Sequence, residues 1–119
     1  MIYFISGHLD LTKEEFEQHY IPAIDKALSE GAGFIVGDAN GTDAMAQQYL
    51  SGKTENVVVY HMFISPRNNE DFVIAGGYTS DESRDSAMTK ASDADIAWVR
   101  PGREKSGTAK NLKRRLKIK

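Results

Sequence analysis

Short apolar runs that stop on glycine turns alternate along this chain with stretches of helical periodicity, and that alternation constrains the fold more than any single motif. Residues 1–5 form the first run, ending at Ser6-Gly7-His8. Thr12 and Glu15 have the spacing of a capping box, and Phe16, Tyr20, Ile24, Ala27 and Leu28 follow at helical intervals, with Pro22 expected to kink or break the helix. Residues 34–36 make a second run closed by Gly37-Asp38. Residues 41–52 read as a helix with Ala44, Met45, Gln48 and Tyr49 on one face and Gly52 as its stop. The β-branched run 57–60 has no polar alternation, which suggests a strand covered on both faces. Residues 65–80 read as a long polar loop with a short strand at 72–75, followed by a helix at 81–92, a strand at 96–99, a loop at 100–106 and a helix at 107–116. The order predicts an α/β fold with a mainly parallel sheet and helices on both faces, and in such sheets ligands sit beyond the carboxyl ends of the strands.

With 119 residues, 40% hydrophobic and 27% charged, the chain has the composition of one globular domain spanning 1–119, long enough to bury a core without disulfides or metals. Cysteine is absent, which removes thiol nucleophiles and Cys-based zinc sites, and no His/Glu spacing suggests a metal. No apolar run is long enough to span a bilayer and the first residues lack a signal-peptide pattern, so a cytoplasmic protein without membrane contact is expected. Six of the fifteen basic residues fall in the last ten positions, leaving an acidic body and a basic tail. The tail could contact single-stranded nucleic acid, but Leu112 and Leu116 at i, i+4 favour an amphipathic helix with a solvated charged face.

Three turns carry the residues suited to chemistry: Ser6-Gly7-His8, Gly37 to Asp43, and Ser106-Gly107-Thr108. Glycine lets backbone approach a ligand, and a helix N-terminus favours an anion such as phosphate. Within the second turn, Gly41 and Thr42 open a helix, Asp38 is suited to hold a sugar hydroxyl or accept a proton, and Asp43 to serve as a site carboxylate or a cap. His8 titrates nearest neutrality, whereas His19 and His61 read as structural. Arg84 is a fork suited to phosphate, and Arg67 is a weaker candidate of the same kind. Phe63, Phe72, Tyr78 and Trp98 are available to stack on a base or to fill a core, and Phe72, Val73 and Ile74 suit an interface between copies.

The pattern Arg84-x-x-x-Met88, then Ala94-Asp95-Ile96-Ala97, then Ser106-Gly107-Thr108 resembles the SLOG superfamily of Rossmann-like nucleotide-binding proteins, including the Lonely Guy phosphoribohydrolases and the nucleoside 2-deoxyribosyltransferases. Gly37-Asp38-Ala39-Asn40-Gly41-Thr42-Asp43 is similar to the G-x-A-x-G-x-D segment of the small YspA-type members. The resemblance runs from the first strand to the last helix. It implies a Rossmann-like three-layer α/β/α sandwich, a homo-oligomer, and a nucleotide or nucleoside phosphate bound across the strand ends without a further cofactor. Gly107 and Thr108 would take the phosphate, with Ser106 nearby, Arg84 would contact phosphate or sugar, and the Gly37 to Asp43 turn the remainder. The activity it implies is hydrolysis or transfer at an N-glycosidic bond. The glutamate that carries that chemistry in the family falls at position 111, where this chain has Asn111. Asp38 or Glu104 would then have to supply the carboxylate, the alternatives being a non-catalytic nucleotide sensor or a module that binds single-stranded DNA.

Overall fold

The computed structural model describes residues 1–62 and 65–118. Ten elements follow one another: β1 (Ile2–Ser6), α1 (Lys13–His19), α2 (Ile21–Ser29), β2 (Gly33–Gly37), α3 (Thr42–Leu50), β3 (Val57–Met62), β4 (Val73–Tyr78), α4 (Asp81–Ala91), β5 (Ala94–Ala97) and α5 (Gly107–Ile118). The strands form one all-parallel sheet in the order β4-β3-β2-β1-β5. The chain winds outward from β1 to β4, then returns to place β5 on the far side of β1. A crevice therefore opens at the carboxyl ends of β1 and β5, where the connections diverge. This is the Rossmann-like α/β architecture expected from the alternation of elements.

One face of the sheet is apolar. Ile5, Phe34, Val36, Val57 and Val59 point into a cluster with Phe16, Tyr20 and Ile24 from the α1–α2 segment and Ala46 and Leu50 from α3. The capping box forms, with Glu15 N–H donating to Thr12 Oγ1 at 3.1 Å and Thr12 N–H to Glu15 Oε1 at 2.9 Å. The expected break at Pro22 also forms, splitting α1 from α2 at Tyr20. The opposite face carries α4 and α5, and its apolar cluster is small: Phe4, Ile35 and Met88, with Tyr60 beside them.

Three expectations need correction. The segment read mainly as loop contains a full edge strand, β4, in which Gly76 serves the sheet: the ring of His61 lies where a Cβ on Gly76 would be. The strand 57–60 is not equally covered on both faces, since Val57, Val59 and His61 are buried while Val58, Tyr60 and Met62 are half-buried. In α5 the leucines do not form the buried stripe; Thr108, Ala109, Asn111 and Arg115 do, and Leu116 is 75% exposed. The helix is rotated by Arg115, whose guanidinium donates to the carbonyls of Thr89 (3.0 Å) and Ser92 (2.8 Å), to Ser92 Oγ (2.6 Å) and to both oxygens of Asp95 (3.1 Å each).

The aromatic candidates are occupied elsewhere. Trp98 stacks on His19 with ring centres 3.9 Å apart, Tyr78 stacks on Tyr60, and Phe72 packs against the larger cluster. Phe63 lies outside the described residues. Val73 and Ile74 are exposed on β4. No described helix is long and apolar enough to cross a membrane.

Candidate functional site

The crevice at the strand ends is a cleft of about 570 Å³, a size that suits a small ligand. Ser6, Gly7, His8, Leu9 and Asp10 from the β1–α1 turn form one wall, and Gly37, Ala39 and Asp43 from the β2–α3 turn form the floor. The far wall is Asp81, Arg84, Asp85 and Met88 of α4 with Ser106, Gly107, Thr108 and Asn111 at the start of α5.

Each wall is held by directional bonds. Tyr20 donates its hydroxyl proton to the Ser6 carbonyl at 2.7 Å and accepts from Trp98 N–H at 3.0 Å, so one phenol ties the ends of β1 and β5 together. His8 Nε2 accepts from the Arg100 amide at 2.8 Å, which places the ring proton on Nδ1; burial, then Arg100 and Arg103, hold its pKa below the ordinary value. Arg100 also clamps Glu15 and Asp10, so the strap of residues 98–106 is pinned against the first turn. Ser106 caps α5, its Oγ accepting from Ala109 N–H at 3.2 Å. Gly107 and Thr108 line the cleft at the first turn of α5, where backbone amides have no acceptor within the helix, which suits an anion. Facing the same space is Ser6 Oγ, 6% exposed, the one buried side-chain polar atom among the described residues with no hydrogen-bond partner.

Asp38 and Asp43, five residues apart, have opposite environments. Asp38 is 1% exposed and lies behind the floor rather than on it. Its carboxylate accepts from Arg67 N–H (2.8 Å), Nε (3.2 Å) and Nη2 (2.9 Å) and from Arg84 Nη1 (2.9 Å). Burial pushes its pKa up, but the Arg67 bonds and the charge of Arg84 outweigh this and hold it below the usual carboxylate range. Asp43 lines the cleft, and one backbone donor, the Ala39 amide at 3.2 Å, reaches its Oδ2. Burial raises its pKa to about 7, against the charge of Arg84 and the Ala39 hydrogen bond, with smaller repulsion from Asp85 and Asp38. Gly37 is required here, because a Cβ would collide with the Asp43 carboxylate.

Arg84, 7% exposed, is saturated by carboxylates: Nη1 to Asp38, and Nε (3.2 Å) and Nη2 (3.1 Å) to Asp85 Oδ1. Asp85 is itself pushed up by burial, against the pull of Arg84 and of the nearby Asn111 side chain. Asn111 Oδ1 accepts from Arg114 Nη1 at 2.6 Å, which orients the amide.

The cleft thus gathers Ser6, Gly7, His8, Gly37, Asp43, Arg84, Ser106, Gly107, Thr108 and Asn111 from the sequence-derived candidates. Asp38 is beneath it. Gly41 and Thr42 pack the second turn against the first, Thr42 Oγ1 donating to the His8 carbonyl at 3.0 Å. Glu104 is exposed on the strap and does not line the cleft. Sequence reasoning passes over Asp81 and Asp85, although Asp81, Arg84 and Asp85 at i, i+3 and i+4 share one helix face and could be read as a cluster. The exposed cations of α5 share a groove with Asp81, Glu82 and Asp85, so that surface is mixed in sign rather than a basic stripe. Among the described residues no cluster of His, Asp or Glu has the makings of a metal site. No family model, curated protein or solved structure matches this chain.

Proposed function

We propose that the cleft binds a nucleotide or nucleoside phosphate and acts at its N-glycosidic bond. The observation that carries this reading is Ser6 Oγ. A buried hydroxyl without a partner costs about 1–3 kcal/mol, and it is tolerable where a ligand completes it. It shares the cleft with the first-turn amides of Gly107 and Thr108, which suit a phosphate, while Asp43 and Asp85 suit the hydroxyls and heterocycle of a nucleoside. The cations near the cleft are all paired with carboxylates, so the phosphate is held mainly by amides and hydroxyls. Calorimetric titration with a panel of ribo- and deoxyribonucleoside 5′-monophosphates tests the reading. Saturable binding by a member is expected, weakened about tenfold by Ser6→Ala with no loss of thermal stability, because that variant removes an unsatisfied group. Absence of binding across the panel overturns it.

A further inference from the structure

Two enclosed carboxyls border one cleft and share one guanidinium. Asp43 rises from the floor on the β2–α3 turn, and Asp85 projects from α4. Between them, Arg84 donates twice to Asp85 Oδ1 and lies close enough to Asp43 to act on it through charge. Their second contacts differ in kind. Asp85 accepts two hydrogen bonds from Arg84 and has the Asn111 side chain nearby, all of which favour a carboxylate. Asp43 has a single backbone donor, and its burial, with smaller repulsion from Asp85 and Asp38, favours the protonated acid. Burial raises both carboxyls, but only Asp85 is bonded by a guanidinium, so Asp43 is the one left to hold a proton, and such a division of two carboxyls separates acid from base in glycoside chemistry. The unpartnered Ser6 hydroxyl in the same cleft is the independent sign that a ligand belongs there.

We infer that Asp43 and Asp85 are the acid–base pair of this site, Asp43 donating a proton to the departing heterocycle and Asp85 activating water. The inference rests on the nucleoside phosphate reading given above. In the step, protonated Asp43 gives its proton to the base nitrogen as the C1′–N bond breaks. The oxygen of a water bonds to C1′ and loses a proton to the Asp85 carboxylate. Water is thereby divided across the bond, leaving Asp43 ionised and Asp85 protonated. Exchange with solvent at the cleft mouth restores both. Arg84 acts as a positioning residue, fixing the Asp85 carboxylate through two bonds to Oδ1.

The groups that face Asp43 are Arg84 and Asp85 from α4 and Asp38 from the end of β2, with Arg67 reaching Asp38 from the 65–72 loop. Ionisation of Asp43 at about pH 7 therefore sets the alkaline limb of the reaction. The test combines free-base release, followed by chromatography, with calorimetric binding of the same nucleoside monophosphate panel. For the wild type, release is expected to fall tenfold per pH unit above about 7 while binding persists. Asp43→Asn and Asp85→Asn are each expected to lower release by roughly 10²- to 10⁴-fold with affinity changed only a few-fold. Binding without release at any pH overturns the acid–base pair and leaves the binding reading intact. Release that survives Asp43→Asn, or a rate that stays flat to pH 9, does the same. Absence of binding removes both. Should a variant not fold, the wild-type pH profile decides alone.

Discussion

The two faces of the sheet are held by different physics. Beneath α1, α2 and α3 lies a continuous cluster of aliphatic and aromatic side chains, whereas α4 and α5 are fastened to the other face by Arg84, which bonds Asp38, and Arg115, which bonds Asp95, around a three-residue apolar patch. Apolar burial is non-directional and tolerates sliding. A buried arginine with six acceptors does not, because every displaced partner is left unsatisfied. The contrast explains how α4, with no apolar stripe beyond Met88, holds one orientation. It also places the directional bonds where the far wall of the cleft is made, since Arg84, Asp85, Gly107 and Asn111 all ride on these two helices.

That contrast can be broken most forcefully at Arg115. Arg115→Ala leaves Asp95 and several carbonyls without their donor and is expected to cost about 3–5 kcal/mol in urea unfolding. Arg115→Met combined with Asp95→Leu removes both charges and should recover most of that loss; a double variant as unstable as the single one would show that packing rather than charge pairing dominates there. An intermediate effect is expected from pH. Folded Asp43 keeps its proton up to about pH 7 and an unfolded aspartate only to about 3.8, so stability should decline as pH rises through that window. Asp43→Asn should abolish the decline and gain on the order of 2 kcal/mol at pH 8, about half the full linkage because Asp43 borders an open cleft. The smallest change belongs to the apolar face. Ile24→Val trims a fully buried side chain and should cost about 1 kcal/mol, with the cleft's ligand affinity unaltered. A shift in affinity with that variant would mean the apolar face also sets the site.

Where a residue's role is decided by its sequence neighbours, the chain is legible. The Thr12–Glu15 box, the break at Pro22 and the alternation of strands and helices all rest on contacts within a few positions, and each appears as expected. Roles decided by distant partners are not legible. Nothing near Gly76 announces the His61 ring that requires it, and nothing near Leu116 announces that Arg115 will find Asp95 twenty positions back. In the sequence Asp38 reads as the site carboxylate and Asp43 as a carboxylate or a cap, and the structure reverses which of them faces the cleft. Their separation into a clamped carboxylate and a cleft-facing acid depends on Arg67 and Arg84, which arrive from 29 and 46 residues away.

The pairing of β1 with β5 also bears on synthesis by the ribosome. Residues 3–6 sit beside 94–97, so one edge of the first strand waits for the last strand while most of the chain is being made. At roughly 5–20 residues per second, that is a delay of several seconds. Through it Ile5 lacks its neighbour Ile96, and the cleft lacks the wall that begins at Ser106. Nascent chains ending before that point carry most of the apolar cluster and lack one wall of the cleft, which makes completion of the cleft a late event and gives chaperones their opportunity early.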